Sequence, residues 1–226
     1  MSSKLSAVRH PGVPFVAPFA VLILLLVVRH HLALGPWELP LRAVVLAAVL
    51  LVCSRKVIDL RLRSPLGSVL IGGVVFLVWV APDLLWPEYR QHWLFQNALT
   101  GAVSSSLAPA WRNSWMVLAS RSVRSVILVP IIEELFWRGW LMRWLVNADF
   151  RKVPLGAYTP RSFWITALLF ASEHGPYWEV GLAAGIAYNW WILRTGKLGD
   201  CILAHAVTNG VLSAYVILGG KWEYWM

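Results

Sequence analysis

Apolar residues run in blocks along the chain, separated by short polar stretches that carry Gly or Pro. The first block covers about residues 15–34 and the second about 39–53, the latter interrupted only by Arg42. A third spans 66–81. Residues 83–92 are polar, contain Pro87 and read as a loop. Residues 93–109 are weakly apolar and rich in Ser and Ala, so a span and an interfacial helix are both open there. Residues 111–123, with Arg112, Arg121 and Arg124 at hand, predict a helix lying at the membrane surface. Residues 126–146 are strongly apolar apart from Glu133, Glu134, Arg138 and Arg143, and a basic loop at 147–161 follows. The last three blocks run about 162–171, 177–193 and 200–218, the final two joined by Thr195-Gly-Lys-Leu-Gly. Strand-period alternation is missing throughout. The pattern predicts an all-α fold, a polytopic membrane helical bundle with seven or eight transmembrane helices.

Composition narrows the class. The chain of 226 residues is 58% hydrophobic and only 14% charged, against roughly 25% charged in soluble domains. That excludes an ordinary cytosolic enzyme, a disordered chain and a disulfide scaffold. Residues 1–226 form a single membrane domain, with loops too short for a soluble catalytic unit, so any chemistry lies inside the bundle. The net charge of +9 sits mainly between apolar blocks, at Arg55-Lys56, Arg61, Arg63 and Arg151-Lys152. Contact with anionic lipid and orientation by the positive-inside rule account for it. With no helix-turn-helix, zinc-finger or RNP pattern, nucleic acid is not an expected partner. Lys4 and Arg9 before the first block, and the basic segment 54–64 after the second, predict a cytoplasmic N-terminus with a retained first span; a cleavable signal peptide is the alternative. Cys53 and Cys201 form no metal pattern. Trp37, Trp86, Trp93, Trp111, Trp222 and Trp225 flank apolar blocks, as interfacial anchors do.

Two acids fall well inside an apolar run. A carboxylate at mid-membrane costs about 2.5–3.5 kcal/mol or more, which makes Glu133 and Glu134 functional candidates. They project about 100° apart and cannot do the same job. Arg138 lies four residues after Glu134, so an ion pair is the structural reading of that pair. Glu133 has no local partner. It is either a proton-transferring group or a hydrogen-bonding contact between helices. His174 ends Phe170-Ala-Ser-Glu-His before Gly175-Pro176; it is an interfacial histidine or a catalyst, with Glu173 beside it a rim carboxylate. His205 and Asn209 share one helix face, for interhelical bonding or for chemistry. His10, His30, His31 and His92 lie near span ends or loops and need no function.

In order, Glu133-Glu134-x-x-x-Arg138, Phe170-x-x-x-His174 and His205-x-x-x-Asn209 resemble the motifs of the CAAX-prenyl-protease and bacteriocin-processing family of intramembrane endopeptidases. Thr195-Gly-x-Leu198 is also similar. The resemblance covers residues 126–214, the core of the domain, while residues 1–125 hold helices without recognisable motifs. The sequence around Glu133, His174 and Ala204-His-Ala-Val-Thr-Asn is most similar to the branch associated with bacterial exosortase systems. In many relatives a small residue precedes the second-motif histidine, where this chain has Glu173.

The resemblance implies hydrolysis of a peptide bond in a membrane-associated peptide or protein, in the bacterial inner membrane, by water and without a covalent intermediate. Glu133 and His174 would activate the water, His205 and Asn209 would stabilise the oxyanion, and Glu134 with Arg138 would give structural and electrostatic support. No cofactor is expected; Zn2+ held by Glu133, His174 and His205 is the alternative. Membrane lipids and the substrate are the expected partners, and no oligomeric state is implied. A non-catalytic membrane partner or immunity-type protein that keeps the bundle is the alternative function, and a small transporter or proton relay a third. One geometric demand follows. The helix between His174 and His205 would be about 25 Å long, so the two imidazoles are expected at different depths unless a short or broken helix, or a dip at residues 196–199, brings them together.

Overall fold

A computed structural model of the protein describes residues 10–28 and 34–226. Lys4, Arg9, His30 and His31, which entered the reading of the N-terminal region, lie outside the described residues. Among the described residues there are seven continuous helices: α1 (Val13–Val27), α2 (Gly35–Ser54), α3 (Pro65–Leu85), α4 (Trp115–Trp144), α5 (Pro160–Ser172), α6 (Trp178–Thr195) and α7 (Leu198–Gly219). The extended pairing among them is one isolated bridge, Asn97–Gly101. Helices α2, α3, α4 and α7 are long and apolar enough to cross a membrane. With 15 and 13 residues, α1 and α5 fall short of the roughly 20 that a straight crossing needs. The seven or eight spans expected from the apolar blocks thus become seven helices, four of them of spanning character.

Two segments differ from expectation. Residues 93–109 are neither a span nor an interfacial helix. Asn97 accepts from the backbone N–H groups of Leu99 and Thr100 and donates to the Trp93 carbonyl. Such side-chain bonds give the backbone an alternative to helix. The expected surface helix at 111–123 and the following span are one helix, α4. Nothing between Val123 and Val126 breaks it, and Arg121 and Arg124 are buried in it. The interruption comes later. Pro130 lacks an N–H and lies between two π-helical stretches, Arg124–Leu128 and Leu135–Leu141. Widened turns of this kind absorb a proline within a continuing helix. Glu133 and Glu134 occupy the short α-helical stretch between them.

Helix α7 packs most closely on α3. The Thr208 hydroxyl donates to the Gly72 carbonyl at 2.9 Å. A Cβ at Gly72 would run into the Ala204 carbonyl and Val207, so the close approach requires glycine there. The start of α3 is held from α7 as well: Asp200 accepts from the backbone N–H groups of Arg63 and Ser64 at 2.9 and 3.0 Å and from the Ser68 hydroxyl at 3.0 Å. Helix α5 begins at a capping box in which Thr159 and Ser162 satisfy each other's backbone N–H. Apolar side chains such as Val44, Leu51, Leu70, Val74, Leu77 and Leu218 are exposed on the outer faces, as expected of surfaces that meet lipid. Glu134 and Arg138 of α4, Asn189 of α6, and His205 and Thr208 of α7 are buried.

Candidate active site

The fully buried pair Glu134–Arg138 is the foundation of the site. Arg138 Nη1 donates to Glu134 Oε1 at 3.0 Å, and neither side chain has measurable exposure. The rest of the guanidinium is used on α6: Nε donates to Asn189 Oδ1 at 2.9 Å and Nη2 to the Gly185 carbonyl at 3.2 Å. Asn189 in turn donates to the Phe163 carbonyl on α5 at 2.8 Å. The guanidinium also lies over the Phe170 ring, 4.7 Å from its centroid. One arginine therefore joins α4, α5 and α6. Desolvating two such charges is tolerable only where geometry and further hydrogen bonds compensate, as they do here.

Glu134 Oε1 has a second partner. His205 Nδ1 lies 3.0 Å away and donates to it, because an arginine-paired carboxylate is an acceptor. The other ring nitrogen, Nε2, faces Glu133 Oε2 at 4.0 Å. The imidazole stacks on Tyr188, centroids 5.1 Å apart, and the Tyr188 hydroxyl is anchored on Thr208 at 2.7 Å. Exposure rises outward: the Glu134 side chain is sealed, His205 is 6% exposed and Glu133 13%. Oε2 of Glu133 is buried without a hydrogen-bond partner among the described residues, so a polar acceptor faces the space beside His205.

His174 stands one layer out. Its Nδ1 donates to the Phe170 carbonyl at 2.8 Å, which leaves Nε2 as an acceptor. The ring lies against Trp79 and Phe170, centroids at 5.2 and 4.8 Å. Gly181 makes room for it: a Cβ there would sit 2.9 Å from the imidazole. Phe170 borders both histidines, its centroid 6.0 Å from that of His205. Phe170, in the last turn of α5, thus lies between the two imidazoles. Glu173 is exposed at the rim, and its charge acts on Glu133 and lies close to Trp137 and Arg138.

The turn after His174 is fixed from outside by Arg90. Its guanidinium donates to the Pro176 carbonyl at 2.7 Å and pairs with Glu179 at 2.6 Å and Asp83 at 3.0 Å. Asp83 also accepts from the Tyr224 hydroxyl at 3.0 Å. Burial, with Asp83 beside it, pushes the Tyr224 phenol well above its ordinary range and keeps that hydroxyl a donor.

The structure thus brings Glu133, Glu134, Arg138 and His205 into one cluster, with His174 beside it across Phe170. Asn209 is placed differently. Its Nδ2 donates to the Ser125 carbonyl of α4 at 2.8 Å, an interhelical bond one turn beyond His205. Among the described residues no three His, Cys, Asp or Glu side chains are grouped to hold a metal ion. Asn189 and Tyr188 were not anticipated. The signal was present: an amide inside the apolar block 177–193 is as costly as the histidines elsewhere.

Residues 115–211 match the family model described as type II CAAX prenyl endopeptidase Rce1-like. No curated protein and no solved structure matches the chain. The matched stretch contains the whole cluster, together with His174 and Asn209, and it suggests CAAX-type protease activity in the membrane. It does not single out the exosortase-associated branch.

Proposed function

We propose that the chain is an intramembrane endopeptidase that hydrolyses a peptide bond of a membrane-associated peptide or protein by an activated water. Glu133 takes a proton from water, and His174, through the acceptor Nε2, orients it. The water oxygen bonds to the carbonyl carbon, and charge develops on the carbonyl oxygen. His205, protonated on both nitrogens, keeps Nδ1–H on Glu134 and directs Nε2–H to that oxygen. Such donors in a dry site are worth roughly 10²–10³ in rate. The carbon–nitrogen bond then breaks, and Glu133 returns its proton to the leaving nitrogen. Glu134 and Arg138 touch no substrate and hold His205 in place. Asn209 ties α7 to α4 through Ser125 and has a second Nδ2 hydrogen to offer the oxyanion. No step runs through a metal. The basic segment 54–64 favours the cytoplasmic side of a bacterial inner membrane for that loop.

The observation that carries this reading is the 4.0 Å separation of Glu133 Oε2 and His205 Nε2, with His205 locked from behind by Glu134. A water can hydrogen-bond to both at once. Cleavage of a membrane-tethered reporter peptide by the purified, reconstituted chain in oxygen-18 water tests it. One labelled oxygen in the new carboxylate, with no acyl-protein trapped by rapid quench, is the expected result. A trapped acyl-protein would overturn it.

A further inference from the structure

The loops at the two ends of the bundle differ in charge. One end gathers the start of α1, the C-termini of α2, α4 and α6, and the N-termini of α3, α5 and α7. The Ser54 hydroxyl donates there to the Pro14 carbonyl, and Arg63 Nη1 to the Thr195 carbonyl at 3.4 Å. Gly156 packs against the Ile192 carbonyl, and Asp200 caps α3. The loops of this end carry Arg55, Lys56, Arg61, Arg63, Arg151, Lys152 and Lys197. Asp59 and Asp149 lie among them, but acids weigh little in the rule that keeps short Lys- and Arg-rich loops in the cytoplasm. The opposite end is joined by the Arg90–Pro176 bond and by the Ser106 N–H, which donates to the Trp225 carbonyl at 2.7 Å. Among the described residues its loops hold Arg90, Arg112 and Lys221, with Glu88, Glu173 and Glu223.

The candidate site is closed toward the basic end. Helix α4 runs toward that end, so Glu133 and Glu134 are followed by Arg138 and then by Leu141 and Met142. Leu141 is three residues beyond Arg138, Ile192 three beyond Asn189, and Cys201 four before His205. These three side chains and Met142 are buried in one apolar cluster, which plugs the basic side. On the other side exposure rises from the sealed Glu134 to Glu133 at 13% and to Glu173, which is exposed beside His174. The turn after His174 belongs to the opposite end, because Arg90 holds it. We propose that the site opens on the non-cytoplasmic side of the membrane, and that its substrate is a membrane-associated segment of a translocated chain presented from that side. A tail anchored in the cytoplasmic leaflet would meet the apolar plug. The substrate class rests on the hydrolytic reading; the direction of opening does not.

Labelling with a membrane-impermeant maleimide, in intact spheroplasts that express the full chain, tests the opening without any need for cleavage. Cys53→Ser with Cys201→Ala supplies a thiol-free background. Glu173→Cys at the rim and Glu88→Cys in the loop after α3 should be labelled in intact spheroplasts, and Arg151→Cys only after permeabilisation. The reverse pattern would overturn the proposal. So would protection of Glu173→Cys, in a chain of unchanged Tm, where Glu88→Cys is labelled. Glu88→Cys keeps the membrane side decidable if replacement of Glu173 disturbs the fold. In the same cells a reporter peptide held outside the membrane should be cut, and one held on the cytoplasmic side left whole. Cleavage of the cytoplasmic reporter alone would overturn the proposal. Cleavage of neither, with the labelling as expected, would overturn the hydrolytic reading and leave the opening as assigned.

Discussion

Arg138 and His205 are bonded to the same atom: Oε1 of Glu134 lies 3.0 Å from Arg138 Nη1 and 3.0 Å from His205 Nδ1. Through that oxygen the register of α4 against α7 is fixed by one carboxylate, and the orientation of the imidazole is fixed by an arginine that never touches it. The arginine's other bonds reach Gly185 and Asn189 on α6. The site is therefore set by three helices at once, and Glu133 faces a histidine whose other nitrogen is already committed.

Removing one member of the buried pair should be costly. Arg138→Met leaves the Glu134 carboxylate and the Asn189 carbonyl oxygen buried without their partner, and a loss of about 3–5 kcal/mol is expected. Thermal unfolding of the purified chain in detergent reads it as a lowered Tm. The double replacement Glu134→Leu with Arg138→Met should recover part of the loss, because no unpaired charge remains. A single variant as stable as the wild type would show that the pair does not hold the bundle.

Gly181→Ala tests the placement of His174. The new Cβ would lie 2.9 Å from the imidazole, so the ring must move. A displacement of about 1 Å in a catalytic group can lower kcat by about 10²-fold, while overpacking of this size costs about 1–3 kcal/mol of stability. The expected signature in a reporter-cleavage assay is a fall in kcat larger than any rise in KM, in protein that remains folded. Wild-type turnover would remove His174 from the mechanism.

The difference between what the sequence disclosed and what it hid follows from sequence distance. The Glu134–Arg138 pair was legible because i,i+4 neighbours meet on any helix. The ordered motifs placed Glu133, His174 and His205 on separate helices of one bundle. The bond between Arg138 and Asn189 joins residues 51 apart and depends on how α4 and α6 cross, which no local pattern encodes. The long helix α4 was read as two elements because Arg112, Arg121 and Arg124 looked like a surface face; Arg121 and Arg124 are instead buried. At residues 93–109 apolar content suggested a helix, and the turn-forming bonds of Asn97 prevailed. Asn209 shows the same limit: sharing a face with His205 was readable, while its bond to the Ser125 carbonyl was not.

Asp200 carries a prediction that concerns the fold alone. Its buried carboxylate caps the first turn of α3 across 136 residues of sequence. Asp200→Ala leaves two backbone N–H groups and the Ser68 hydroxyl without that acceptor. Each unsatisfied buried group costs about 1–3 kcal/mol. Hydrogen exchange should rise at residues 63–68 before it rises in α4. Unchanged protection there would contradict the capping role.

The central claim is that Glu133 moves the proton of the attacking water, and Glu133→Gln tests it most directly. The glutamine keeps the shape of the side chain and cannot accept that proton. Single-turnover cleavage of a membrane-tethered reporter peptide by the reconstituted chain should fall by about 10²–10⁴-fold, with the Tm within a few degrees of the wild type. Cleavage at the wild-type rate would contradict the account and leave the cluster as a structural tie between helices.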